Sequence, residues 1–307
     1  MKLEGVYSVL PTPFTASGDL DEASLRRVID LFIEAGVSGV TALGVTGEVA
    51  RLDDTERRRV LEVVTSHVNG RIGVVAGTTA EGTRTCIGYS RHAKEAGATA
   101  VMVSPPRMPK LNSEAVVRHY HSLAEAVEIE IVVQDYPPIS GYAMEPALLA
   151  RVAREIERAR TIKLEDPPTP FKTSRILEQC AGIEVRIFGG LGGVFLLEEL
   201  MAGATGAMTG FAFPEILVRI VSLFRSGRID EAADVFYRAV PLMRFEFQEG
   251  IGMAIRKEVL HRRGALASPA TRAPGAQLDK TTREALDRVM TWVDRAVAGP
   301  STSKVGR

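Results

Sequence analysis

Between residues 5 and 227, short apolar runs stopped by glycine or proline alternate with stretches of helical periodicity. That alternation narrows the fold more than any other feature, because strand, crossover helix and strand build a parallel sheet. The runs are Gly5–Leu10, Ser38–Leu43, Ile72–Ala76, Ala100–Val103, Ile129–Gln134, Thr161–Glu165, Glu184–Phe188 and Ala204–Met208. The helices between them are regular. In residues 21–35, Leu25, Val28, Ile29, Phe32 and Ile33 share one face and Gly36 closes the segment. Asp53 or Asp54 caps the next helix, ahead of Val60, Leu61, Val63 and Val64. Eight such units predict a closed (βα)8 TIM barrel. An open doubly wound sheet is the alternative, but it usually carries phosphate-binding glycines after its first strand. Here that place holds Pro11-Thr12-Pro13-Phe14.

After Gly227 the strands stop, and residues 230–245, 248–261 and 281–298 read as three further helices. The expected organisation is a barrel over residues 1–227 and a helical C-terminal extension over 228–307, packed on the barrel or used as an oligomer contact. Breaker-rich residues 264–275 separate the last two helices, and 299–307 read as a frayed end.

Charge excludes several functions. Lys plus Arg equals Asp plus Glu at 38 each, so no bulk field draws nucleic acid or an anionic membrane. No apolar stretch approaches the roughly 18 residues of a membrane span, and Met1-Lys2-Leu3-Glu4-Gly5 does not begin a signal peptide. Cys86 and Cys180 make neither a disulfide framework nor a metal spacing. The chain reads as cytoplasmic.

A barrel of this kind carries its chemistry at the C-terminal ends of its strands. One residue there is out of place: Lys163, between Ile162 and Leu164, in a strand stopped by Asp166-Pro167-Pro168. Alternation turns it to the opposite face from its apolar neighbours. Inside a barrel its ammonium must be paired or give up its proton, and a neutral amine there is a nucleophile. The other strand-end residues include Thr46 and Gly47 in the turn Gly44–Glu48, Arg107, Gln134 and Tyr136, Glu165, Gly190 and Met208. A Gly-x-Thr-Gly turn suits a carboxylate through backbone N–H groups and a hydroxyl, or is simply a tight turn. The glycines 189–193 stand where barrels often bind phosphate, or serve close packing. His67, His92, His119, His121 and His261 do not share a helix face or strand end, so a zinc site is not expected. Nucleophile-elbow and dinucleotide motifs are missing as well. Lys163 is left as the leading catalytic candidate.

These residues resemble the dihydrodipicolinate synthase and N-acetylneuraminate lyase family. Gly44-Val45-Thr46-Gly47-Glu48 resembles its Gly-Thr-Thr-Gly-Glu turn, Ile162-Lys163-Leu164-Glu165 its Schiff-base lysine strand, and Gly203-Ala204-Thr205-Gly206-Ala207 its last-strand motif. The resemblance spans the barrel and the tail. It implies a homotetramer, often a dimer of dimers, without metal or organic cofactor. It also implies a Lys163 imine with pyruvate or a related 2-oxo acid, which then adds to an aldehyde or undergoes the reverse cleavage. Thr46 and the Gly47 backbone would hold the 2-oxo acid carboxylate.

The departures concern protons and the second substrate. Val45 replaces a relay threonine, and Ser104-Pro105-Pro106-Arg107 lacks the family's intersubunit tyrosine. The catalytic tyrosine after the fifth strand falls on Gln134 without a gap, or on Tyr136 after a two-residue slip. The arginine for the aldehyde's carboxylate falls on Ile139 or Ser140, with Arg107 as a substitute. Such changes open a dehydratase or aldolase on a sugar-acid-derived 2-oxo acid, or a lapsed small-acid-binding barrel, beside the synthase reading.

Overall fold

A computed structural model describes residues 2–297. Strands β1 (Gly5–Val9), β2 (Gly39–Ala42), β3 (Gly73–Gly77), β4 (Ala100–Val103), β5 (Glu130–Asp135), β6 (Thr161–Leu164), β7 (Arg186–Gly189) and β8 (Gly206–Thr209) close into a parallel barrel in sequence order. The helices are α1 (Glu22–Glu34), α2 (Asp54–Val68), α3 (Thr83–Glu95), α4 (Ser113–Ala126), α5 (Pro137–Ser140), α6 (Pro146–Glu155), α7 (Thr169–Gln179), α8 (Leu196–Met201), α9 (Pro214–Arg225), α10 (Ile229–Glu246), α11 (Gly252–Arg262) and α12 (Lys280–Val297). The expected TIM barrel is therefore present. The expected frayed end, 299–307, lies outside the described residues.

Period-two alternation divides the strand residues between two cores. Val40, Val74, Val101, Val133, Ile162 and Ile187 face outward into the shell of helices. Tyr7, Val75, Met102, Val132, Phe188 and Met208 form a separate cluster inside the barrel. Missing side chains make room for that plug: a Cβ on Gly39 would stand 2.2 Å from the Tyr7 ring, and one on Gly73 2.6 Å from its hydroxyl. The floor is thus closed and apolar, and polar inward residues collect above it at the strands' C-terminal ends.

Several boundaries differ from the expected ones for local reasons. Pro137 and Pro138, read as strand breakers, also open the single-turn helix α5, since proline is tolerated in a helix's first turn. Asp53, not Asp54, caps α2, in a capping box with Glu56. Helix α11 starts at Gly252 rather than 248, after Gly250 turns the chain at φ 78°.

The C-terminal helices pack on the barrel's last helices: α10 lies against α9 and α8, and α12 against α10. A second attachment reaches the turn after β2. Lys257 of α11 is fully buried and pairs with Glu48, while Arg272 donates to Gly18 O, Arg51 O and the Glu56 carboxylate. Glu48 sits at φ 57°, a left-handed conformation in a non-glycine residue. No helix among the described residues is long and apolar enough to cross a membrane.

Candidate active site

Lys163 occupies the inward face of β6. Its register neighbours are Gln134 on β5 and Phe188 on β7. It is 5% exposed, and its Nζ lies 3.1 Å from Glu165 Oε2. Glu165 continues the strand's alternation one step beyond β6, and its N–H still donates to Asp135 O. The carboxylate fits because the facing residue just past β7 is glycine: a Cβ on Gly190 would stand 2.2 Å from Glu165 Cγ. Gly190 therefore belongs to the site as the space Glu165 fills.

The same carboxylate oxygen accepts from Gln134 Nε2 at 2.7 Å, and Gln134 Oε1 accepts from Ser104 Oγ at 3.0 Å. These hydrogen bonds fix the amide's orientation and make a buried chain Ser104, Gln134, Glu165, Lys163 across β4, β5 and β6. Gln134 holds the place opposite Lys163. Tyr136, two residues on, is half-buried at the start of α5; burial, then the charges of Glu165 and Glu249, push its phenol up. Of the two candidates for the tyrosine position, Gln134 thus stands beside Lys163, and Tyr136 stands beyond the strand at the N-cap of α5.

On the other side of the barrel, Thr12 Oγ1 donates to Gly47 O at 2.6 Å and pins the turn after β2. Lys257 holds the same turn through Glu48. Thr46 Oγ1 is buried without a hydrogen-bond partner among the described residues. Val45 is 38% exposed and lines a cavity of about 460 Å³, together with Gly44, Arg57, Glu81, Arg107 and Gln134. Arg107 stands exposed on the loop after β4. Met208 lies lower, fully buried in the apolar floor and in register with Tyr7.

Several groups carry no signal in the sequence or only a faint one. The Lys163-x-Glu165 spacing, with both side chains on one strand face, is readable, but only Gly190 opposite shows that the acid fits inside. Arg57 gives no local signal within Arg57-Arg58-Arg59. In the fold its guanidinium lies 4.3 Å from the Tyr89 ring centroid, and it lines the cavity with its Nε unpartnered. Glu199 of α8 is equally hidden: its Oε1 accepts from Thr169 Oγ1 at 2.6 Å, its Oε2 has no partner, and burial pushes its carboxyl up to about 7. Among the described residues no three His, Cys, Asp or Glu side chains converge as a metal set.

The family model described as the dihydrodipicolinate synthetase family matches residues 2–292. The L-2-keto-3-deoxyarabonate dehydratase of Azospirillum brasilense is 33% identical, over 95% of this chain and 95% of that protein. A dihydrodipicolinate synthase structure from Rhodopseudomonas palustris superposes with a TM-score of 0.89 at 34% identity, covering 94% of this chain and 97% of the other. A pyruvate complex of the Acinetobacter baumannii synthase gives 0.88 at 25% identity, over 95% and 99%.

Proposed function

The chain belongs to the dihydrodipicolinate synthetase family, whose members are aldolase-type lyases, and within it we propose a Schiff-base lyase acting on a 2-oxo-3-deoxy sugar acid. The observation that carries this reading is the Lys163–Glu165 contact at 3.1 Å, with Gln134 beside it. Glu165 takes a proton from the amine, which then adds to C2 of the 2-oxo acid and loses water as the imine forms. The imine nitrogen is the electron sink, so the step calls for neither metal nor organic cofactor. Thr46, whose Oγ1 is buried without a partner among the described residues, and Gly47 receive the carboxylate; a 2-oxo acid substrate fits the pyruvate complex of the A. baumannii relative.

Glu165 gives its proton to the water that leaves as the imine forms, then removes one from C3 to give the enamine; the C4 hydroxyl leaves as water, and hydrolysis of the resulting imine frees the product and Lys163. Gln134 favours this course over addition to an aldehyde. An amide orients Glu165 but does not exchange a proton as a phenol does. Tyr136 serves as the acid that protonates the leaving hydroxyl. The cavity lined by Arg57 and Arg107 has room for the remaining hydroxylated carbons. The exposed apolar side chains Val45, Met108 and Ile139 support a homo-oligomer, and the free buried cysteines 86 and 180 suit the cytoplasm.

The test is incubation with a 2-oxo-3-deoxypentonic acid followed by mass spectrometry. Loss of one water is expected, and Glu165→Gln should slow it by about 100-fold, a typical general acid–base contribution. Release of pyruvate instead would assign C–C cleavage, and no turnover of any 2-oxo acid would leave the lapsed-barrel reading standing.

A further inference from the structure

The notch between β8 and the turn after β2 holds two polar groups whose role is open. Gly210 follows β8, and a Cβ there would stand 2.2 Å from Arg256 Nη1 and 3.1 Å from Thr46 Oγ1. A guanidinium from the C-terminal extension and a hydroxyl from the carboxylate turn therefore crowd one point. Arg256 is 3% exposed, yet neither its Nη1 nor Thr46 Oγ1 has a hydrogen-bond partner among the described residues. A buried donor left unmade is costly, and a charged one more so.

Among the described residues the only acid paired with Arg256 is Glu246 of α10, whose Oε2 lies 3.4 Å from Arg256 Nε and also accepts from Ala212 N. Burial pushes the Glu246 carboxyl up, against the pull of the Arg256 guanidinium. The guanidinium faces Thr46 with its Nη1 free and its Nε toward Glu246, in a low-dielectric wall where its charge reaches a nearby anion with little screening.

We propose that Arg256 is a positioning residue for the substrate carboxylate, donating Nη1–H to Thr46 Oγ1 when a 2-oxo acid binds. The hydroxyl proton then turns toward the carboxylate, and the guanidinium supplies the countercharge from behind. Gly210 is the residue that lets it approach. The consequence is selection: the site takes 2-oxo acids and disfavours their uncharged esters. This rests on the reading that Thr46 and Gly47 bind the carboxylate at the mouth of a Lys163 imine site.

Reductive trapping by cyanoborohydride, titrated with pyruvate and separately with methyl pyruvate, tests it. The wild type should half-saturate at lower pyruvate than ester. In Arg256→Met the pyruvate value should rise about tenfold while the ester value and both limiting trapping rates stay within twofold; Arg256→Lys should restore part of the preference. Should Arg256→Met fail to fold, Glu246→Gln, which strips the opposing charge, should strengthen the pyruvate preference instead. Unchanged preference in the folded variants overturns the proposal and leaves the imine reading intact. Trapping of neither compound by the wild type overturns both.

Discussion

Lys163 and Lys257 are both buried lysines beside a carboxylate, and they differ in how their three N–H donors are used. Lys257 pairs with Glu48, donates to Ala270 O at 2.8 Å and lies 4.3 Å from the centroid of the Phe14 ring. Its ammonium has a carboxylate, a carbonyl and a ring face around it, and it fastens the C-terminal extension to the turn after β2. Lys163 has one acid partner, Glu165 at 3.1 Å, and that oxygen already accepts from Gln134. Burial alone therefore does not mark a reactive lysine. What distinguishes Lys163 is unused donor capacity at the open end of a barrel whose floor is closed by apolar side chains.

The largest effect that separates the two lysines is on turnover. Lys163→Ala should lower kcat at least about 1000-fold, or ~4 kcal/mol of transition-state stabilisation, with little change in thermal midpoint. Lys257→Met should do the reverse. It takes from the buried Glu48 one of its two cations and leaves Arg51 as the other, which costs about 1–3 kcal/mol in a urea titration, while the folded fraction still forms an adduct at Lys163. A stable Lys257→Met enzyme that no longer traps substrate would break the comparison.

Glu199 sharpens it from the acid side, because this buried carboxyl has no cation partner among the described residues. Its folded value is pushed from 4.5 up to about 7, so between these values the native state keeps a proton that the unfolded chain releases. The stabilisation is complete below pH 4.5 and is lost as pH rises through 7. Urea midpoints of the wild type should fall over this window relative to Glu199→Gln, by a difference of about 2–3 kcal/mol. The smallest effect is expected at Gln134. Removing its hydrogen bond to Glu165 in Gln134→Leu should slow imine formation by about 3–10-fold, consistent with ~1 kcal/mol for one hydrogen bond.

The barrel was legible because strand and helix periods alternate cleanly and glycine or proline marks most ends; β4 runs from Ala100 to Val103, as the apolar run predicts. Lys163 was legible for the same reason: a charge between Ile162 and Leu164, ahead of two prolines, conflicts with its neighbours. Its surroundings were not. Glu165 is only two residues away, but its place depends on Gly190 across the β6–β7 edge. Alternation sends Gln134 and Tyr136 to the same face, and only the register with β6 puts Gln134 opposite the lysine. Arg256 and Thr46 are brought to Gly210 by closure of the barrel and docking of α11, an encounter that no local pattern records. The short helix α5 escaped because proline stops a strand and starts a helix with the same ring.

The central claim is that the unsaturated lysine is the nucleophile. Incubation with pyruvate and borohydride, followed by intact-mass measurement and peptide mapping, tests it most directly. One reduced adduct per chain on Lys163, with Lys257 and the ion-paired Lys172 unmodified, is the predicted result. An unmodified Lys163, whether no adduct forms or the adduct maps to another lysine, would contradict it.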